Sequence, residues 1–342
     1  MIIISGGGTG GHLAIAKSLN EEFVRRGEKT MFIGSSSGQD MMWFKDDENF
    51  EDKIFLPSKG VVNKRGFSKL ASLANILNLA FKCRKIFKEV GAKAVISVGG
   101  YSAAPAAFAA IISNLPLFIH EQNAVTGKLN KILKPFAKGF FSSYEKVKFD
   151  YPVTSKFFEK SRVRSELKNI IFLGGSQGAA AINELALNLA LDLKNMGVNI
   201  IHQCGKNGFN ELKKEYQKLE VEVDLFEFSK EIEAKMSAAD LAVSRAGAST
   251  LWELCASGLP TIFIPYPHAA KNHQFYNAKF LVDQNLAKFC FQKDGKIDKN
   301  EILDIISSIN LEEISSRLGA QISLNGSQKI VDEILAKITS HR

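Results

Sequence analysis

Three stretches of this 342-residue chain gather the residue types that handle phosphates and sugars. The first, IIISGGGTGGH at residues 2–12, passes from a run fit for a buried strand into six residues with almost no side-chain bulk, then His12. Gly6, Gly8 and Gly11 satisfy G-x-G-x-x-G, the loop that lets main-chain amides at a helix N-terminus approach a pyrophosphate. The same pattern also fits a tight strand-to-helix turn with no ligand. The second stretch is SRAGASTLWE at 244–253. A strand is expected to end at Ser244, Gly247 and Ala248 open the backbone, and Ser249 or Thr250 can cap a helix with Glu253 on its first turn. Free N–H groups and the positive end of the helix dipole favour a diphosphate there, and a carboxylate at Glu253 can accept from both hydroxyls of a ribose. An N-capped helix with an acidic first turn is the plainer reading. The third, YPHAAKNHQFYNA at 266–278, crowds His268, Asn272, His273, Gln274 and Asn277 together. That suits a polyhydroxylated ligand such as a sugar, or a solvated loop at a helix start.

The elements that must position these residues alternate in type. IIIS, TMFIG, KIFLP, AVISVGG, LFIHEQN and GFFSS read as strands, with helical periodicity between several of them. After FDYPVTSKFF (149–158) the scheme restarts with NIIFLGGSQGAAAINELALNLA and runs on through NIIHQCG, VDLFEF, ADLAVSRAG, PTIFIPYP and AKFCFQ. Alternating strand and helix predicts an α/β protein with parallel sheets. Two Rossmann-like halves are expected, 1–150 and 151–328, with ligands in the cleft at the strand C-termini and a final helix, about 329–342, packing back on the first half. Gly174-Gly175-Ser176-Gln177-Gly178 repeats the logic of the first glycine loop. A dinucleotide site usually has an acidic residue at the end of the second strand for the ribose. Here that strand runs into Gly34-Ser35-Ser36-Ser37, which counts against an NAD(P) oxidoreductase.

Composition sets outer limits. With 45% hydrophobic and 23% charged residues the chain reads as globular, and its length suits two domains. Cys83, Cys204, Cys255 and Cys290 lie far apart with no C-x-x-C, which fits a reducing compartment and argues against a zinc site. The N-terminus enters a strand at once, so no signal peptide is expected, and no apolar run reaches membrane-spanning length. The formal charge is +8, and residues 59–88 alone hold eight Lys and Arg with no Asp or Glu. A second acid-free run, 127–144, adds Lys128, Lys131, Lys134 and Lys138. A basic face of this kind points to an anionic partner. Without an aromatic-rich RNA motif beside the lysines, nucleic acid is not expected; an anionic membrane surface is. From Phe67 to Val90 two apolar stripes appear at helical spacing: Leu70, Leu73, Leu77 and Phe81, and Ile76, Leu79, Cys83 and Ile86. One is needed for the core, so the other is spare, ringed by Lys69, Lys82, Arg84, Lys85 and Lys88.

Six motifs in order carry a family resemblance: GGTGGH, SVGGYSAAP, HEQNAVTGKLNK, GGSQGA, SRAGASTLWE and PYPHAAKNHQ. Over nearly its full length the chain resembles the MurG family of peptidoglycan glycosyltransferases. The resemblance implies a two-domain GT-B fold and inverting transfer of N-acetylglucosamine from UDP-N-acetylglucosamine to lipid I, giving lipid II, at the cytoplasmic face of the inner membrane. Carried over by position, Thr9, Gly10, Gly11 and Asn123 belong to the acceptor side. Ser176 and Gln177 meet the diphosphate, Arg245, Ala248 and Glu253 hold nucleotide and sugar, and His273 and Gln274 reach the sugar. His12 and Glu121 are the candidate bases. Two departures stand out. The family has Pro-Val-Arg at the domain junction where this chain has Pro152-Val153-Thr154, leaving Lys156, Arg162 or Arg164 to supply the charge. The segment after His12 is also about three residues shorter than usual. No D-x-D occurs, so neither a metal nor another cofactor is indicated. The competing readings are another GT-B enzyme on a UDP-sugar (an epimerase or a glycolipid synthase), an oxidoreductase, or a non-catalytic nucleotide sensor.

Overall fold

The computed structural model describes residues 1–58, 60, 67–175 and 178–340. They form two compact units, Met1–Val153 together with Asn325–Arg342, and Thr154–Leu324.

The first unit holds a six-stranded sheet made of β1 (Ile2–Gly6), β2 (Thr30–Ser35), β3 (Asp52–Leu56), β4 (Ala94–Gly99), β5 (Leu117–His120) and β6 (Gly139–Phe141). The strand order is β3-β2-β1-β4-β5-β6, and every pairing is parallel. β1, β2 and β4 are buried along their whole length, as strands covered on both faces must be. The second unit repeats the plan with β7 (Asn169–Leu173), β8 (Asn199–Gln203), β9 (Val223–Phe226), β10 (Leu241–Ser244), β11 (Thr261–Phe263) and β12 (Lys288–Phe289). Its order is β12-β11-β10-β7-β8-β9, again all parallel. In each sheet the order reverses beside the first strand, between β1 and β4 and between β7 and β10. Open α/β sheets bind ligands at such switch points, beyond the strand C-termini. Both glycine loops emerge there.

Helix Gly10–Arg25 buries Leu13, Ala16, Leu19 and Phe23, spaced for one face, and ends at Gly27, whose φ is +75°. The last helix, Gly326–Thr339, buries Ile330, Val331, Ile334 and Ile338. It is fastened to helix Gly10–Arg25 by Ser18 to Ser327 at 2.7 Å and by an Arg26–Asp332 ion pair. Helix Phe67–Glu89 lies against the alanine-rich helix Ala104–Ile112, whose small side chains permit close approach. Among its described side chains Ile76, Leu79, Ala80, Cys83 and Phe87 are buried. Leu70, Leu73, Leu77 and Phe81 are between 43% and 63% exposed, so this is the stripe left over. Lys69 also belongs to that reading, but its side chain lies outside the described residues, as do residues 61–66. All four cysteines are buried and free. Among the described residues no helix is long and apolar enough to cross a membrane.

Candidate active site

In the first unit the site grows from the turn between β1 and helix Gly10–Arg25. Gly8 has φ +84°, and a Cβ there would meet the Tyr101 ring at 2.6 Å, so only glycine fits. The buried carboxylate of Asp40 fixes the turn, accepting from Gly8 N at 2.5 Å and from Ser35 N, at the end of β2, at 2.7 Å. Tyr101, just past β4, donates to Ser37 O at 2.9 Å and closes the far side.

Thr9 is the N-cap of the helix, yet its hydroxyl does not cap. It lies 2.9 Å from His12 Nδ1 instead, and Gln122 Nε2 lies 2.9 Å from His12 Nε2. Thr9 therefore makes no side-chain cap bond at this helix start, the arrangement that suits an anion or a sugar oxygen. Burial pushes the His12 pKa down to about 4, so the ring is neutral at physiological pH. Glu121 has a different place. Its carboxylate accepts from Asn123 N at 3.0 Å, Gly127 N at 2.9 Å and Asn130 Nδ2 at 2.9 Å, which winds the turn after β5 around it. His12, Thr9, Glu121 and Asn123 thus share one neighbourhood, with Gly10 and Gly11 at its helix start.

In the second unit the turn after β7 carries Gly175 at φ +83° and leads into helix Ala180–Asn195, which has no side-chain cap. Ser176 and Gln177, expected at the diphosphate, lie outside the described residues. Helix Ala248–Ala256 starts with Gly247 as its N-cap and again has no side-chain cap bond. Ser249 and Thr250 are inside the first turn and do not cap it. Glu253 sits in the second turn, not the first. Its carboxylate accepts no hydrogen bond from the described residues. Burial pushes its pKa up to about 7, and the charge of Glu233 adds to the rise.

Arg245, at the end of β10, is 8% exposed. It donates to Ile264 O at 3.0 Å, Pro265 O at 3.3 Å and Gln292 Oε1 at 2.9 Å, with Tyr266 beneath it at 5.5 Å. Among the described residues no carboxylate pairs with this guanidinium, so its charge remains available to an anion. Gln274 accepts from Tyr266 N at 2.8 Å, which brings it to the same loop, while His273 Nδ1 meets Ala270 O at 3.0 Å.

The expectation for Arg162 and Arg164 needs correction. Arg164 is fully buried and donates to the carbonyls of Ala239, Arg162, Ser257 and Met236. Arg162 pairs with Asp240 at 2.6 Å and also donates to Ser237 O and Ala239 O. Both are framework residues. Lys156, exposed on helix Ser155–Glu159, is the one of the three whose charge stays uncommitted.

Sequence reasoning passed over Gln122, Asp40, Tyr101 and Gln292. Gln122 stood between two chosen residues in HEQN. The other three were signalled only by lying just past a strand, where a switch-point ligand would be met.

Residues 2–142 match the N-terminal domain of glycosyltransferase family 28 and residues 169–333 its C-terminal domain. A Campylobacter fetus protein named UDP-N-acetylglucosamine--N-acetylmuramyl-(pentapeptide) pyrophosphoryl-undecaprenol N-acetylglucosamine transferase is 59% identical, over 98% of this chain and 99% of its own. A Campylobacter jejuni protein of the same name is 56% identical over 98% and 97%. The crystal structure of Acinetobacter baumannii MurG superposes with a TM-score of 0.77 at 28% identity, over 98% of this chain and 99% of that one. With two matching parallel sheets of six strands each among the described residues, a family 28 domain on each, and relatives of nearly equal length more than half identical, the chain belongs to the MurG family of GT-B glycosyltransferases.

Proposed function

We infer that this enzyme transfers N-acetylglucosamine from UDP-N-acetylglucosamine to the muramyl 4-hydroxyl of lipid I, forming lipid II for peptidoglycan. The observation that carries the reading is the 59% identity, end to end, to a relative named for that reaction. Transfer of labelled sugar from UDP-N-acetylglucosamine to lipid I tests it. An enzyme that epimerises the donor or labels only another lipid would refute it.

The roles of the residues follow from their surroundings. In an inverting transfer the acceptor hydroxyl attacks the anomeric carbon while UDP leaves. His12, neutral and beside an uncapped helix start, is assigned as the base. Glu121, held by three donors, is assigned to shaping the acceptor turn with Asn123. Thr9, Gly10 and Gly11 line the same start. On the donor side, the first turns at Ala180 and Ala248 and the unpaired charge of Arg245 stabilise the diphosphate as negative charge grows on it. Ser176 and Gln177 are placed there by the resemblance, and Gln274 and His273 at the sugar.

Glu253 is assigned to the ribose hydroxyls. Its loss removes a charged acceptor, so Glu253→Ala weakens UDP-N-acetylglucosamine binding by about 1–3 kcal/mol. The pH dependence has a definite sign. The donor is bound by the ionised carboxylate, and the free group titrates near 7. Affinity therefore rises from pH 6 to pH 8, with uptake of a proton on release. Calorimetry across that range reads it, because the sugar diphosphate has no group of its own titrating there. Glu253→Gln flattens the profile; a variant that keeps the wild-type slope removes Glu253 from the ribose.

The enzyme is assigned a peripheral place on the cytoplasmic face of the membrane, where a lipid-linked acceptor presents its pyrophosphate. The exposed stripe of Leu70, Leu73, Leu77 and Phe81 supports this, with Lys82, Lys85 and Lys88 exposed on the same helix and Arg84 partly so. Ile132 and Phe136, exposed among Lys128, Lys131 and Lys138, add a second patch of the same kind. Each basic residue near an anionic leaflet is worth about 1 kcal/mol. Replacing Lys82, Arg84, Lys85 and Lys88 with Glu should abolish co-sedimentation with phosphatidylglycerol vesicles at low salt while UDP-N-acetylglucosamine binding survives. Persistent vesicle binding would move the contact elsewhere.

A further inference from the structure

We propose that Gln122 is a positioning residue that fixes the tautomer of His12 and covers its one lone pair until the acceptor hydroxyl takes the place of the amide. This rests on the assignment of His12 as the base. Gln122 is buried on the turn that follows β5, and its Nε2 points at His12 Nε2 from 2.9 Å. The Tyr151 hydroxyl stands 3.5 Å from Oε1, at the other end of the carboxamide. An amide nitrogen can only donate, so His12 Nε2 accepts. The ring proton is then on Nδ1 and is donated to Thr9 Oγ1 at 2.9 Å. Backbone holds the ring from one side: a Cβ on Gly99 would stand 3.0 Å from both Cδ2 and Nε2. In this state Nε2 has the only lone pair on the imidazole, and a neutral donor covers it.

A carboxamide suits both ends of the reaction. Before transfer its N–H occupies the lone pair without charging the ring. As the acceptor binds, its hydroxyl replaces the amide as donor to Nε2. The O–H bond then breaks and the proton becomes Nε2–H. The oxygen forms its bond to the anomeric carbon, and the bond to the diphosphate breaks with its electrons leaving on UDP. The imidazolium now has two N–H groups, and a half-turn of Gln122 offers Oε1 to the new one. A carboxylate at 122 would hold the proton on His12 from the outset, and an apolar side chain would do neither job.

The titratable groups about this loop are His120 at the end of β5, Glu121 beside it, Tyr101, Tyr151 and Asp40. Glu121 and Asp40 are already engaged by main-chain amides. His120 is 1% exposed, neither of its ring nitrogens has a partner, and its ring meets Tyr151 edge-on at 5.5 Å. It offers the proton on His12 no second resting place, which leaves Gln122 as the group that answers to it.

The test uses the full chain with ¹⁵N-labelled histidine, with initial rates on lipid I across pH. Wild type should show His12 as the Nδ1–H tautomer. Gln122→Glu should raise the His12 pKa and move the acid limb of kcat/KM up by about one pH unit or more, which lowers the rate on that limb about tenfold for each pH unit moved. Gln122→Met should keep the fold and the donor Kd, lose several-fold in kcat, and leave the acid limb where it was. An Nε2–H tautomer in wild type, or the same pH profile in both variants, overturns the proposal. Ring signals that shift as expected with wild-type turnover in both variants would instead overturn the assignment of His12 as base, and the gate with it.

Discussion

His12→Ala lowers kcat by about 10²–10⁴-fold, the usual worth of a positioned general base, while the KM for UDP-N-acetylglucosamine changes little. The asymmetry arises because the base acts only as the acceptor hydroxyl attacks, so its loss is felt in the transition state and not in donor binding. Steady-state rates at saturating lipid I and varied donor separate the two constants. The acid limb of kcat/KM reports the base in the free enzyme. With the His12 pKa near 4, kcat at saturating donor holds as pH falls through 6.5, where an ordinary histidine would be lost. Stability moves in the opposite sense. His12, His120 and His202 are all held below the ordinary value by burial. Between about pH 6.5 and 4 the unfolded chain binds protons that the folded one refuses, so the fold weakens as pH drops. Rates are best compared between pH 6.5 and 8, with melting as the control. The alanine variant also leaves Thr9 Oγ1 and Gln122 Nε2 without their partner, which costs about 1–3 kcal/mol. A folded variant with near-normal kcat would reduce His12 to a shaper of the loop.

The parts of this molecule that follow local rules were open to reading from the chain. Apolar runs such as IIIS and AVISVGG become β1 and β4 because parallel strands covered on both faces need continuous apolar sequence. The glycine turns follow from the same local logic, since Gly8 takes a φ of +84° that side-chain-bearing residues rarely adopt. The two stripes of helix Phe67–Glu89 were visible too, but sequence could not say which faced inward. Packing against helix Ala104–Ile112 decides that, burying Ile76, Leu79 and Cys83. What stayed hidden depends on distance along the chain. Gln122 meets His12 across 110 residues and Asp40 reaches Gly8 across 32, and no periodicity encodes either. Ser249 and Thr250 looked like caps by residue type, yet the helix already starts at Ala248 and Gly247 takes that place. The clearest miss was charge. An arginine near the domain junction reads equally as ligand-binding or as framework, because its partners at 236, 239 and 257 are not local.

Arg164→Leu destabilises the second unit by about 3–5 kcal/mol, in the range for removing one side of a buried charged network. Four main-chain carbonyls lose a charged donor together: Met236 in the last turn of helix Ile232–Ala238 and Ala239 just after it, Ser257 after helix Ala248–Ala256, and Arg162. Each charge-assisted bond is worth about 1.5–3 kcal/mol, and relief of the guanidinium's desolvation offsets part of the sum. The network also ties the entry to β7, since Asp240 accepts from Lys168 N and Asn169 N and pairs with Arg162. Arg164→Lys recovers little, because one ammonium cannot span acceptors set around a planar fork. Arg162→Leu is milder, about 1 kcal/mol, since its pair is partly exposed. Urea titration of the three variants, followed by a probe in the second unit, ranks them. Donor affinity decides what the ranking means. Arg164→Leu that melts like wild type but no longer binds UDP-N-acetylglucosamine would return this arginine to the nucleotide. The structure instead predicts a weakened fold whose remaining folded fraction binds the donor normally.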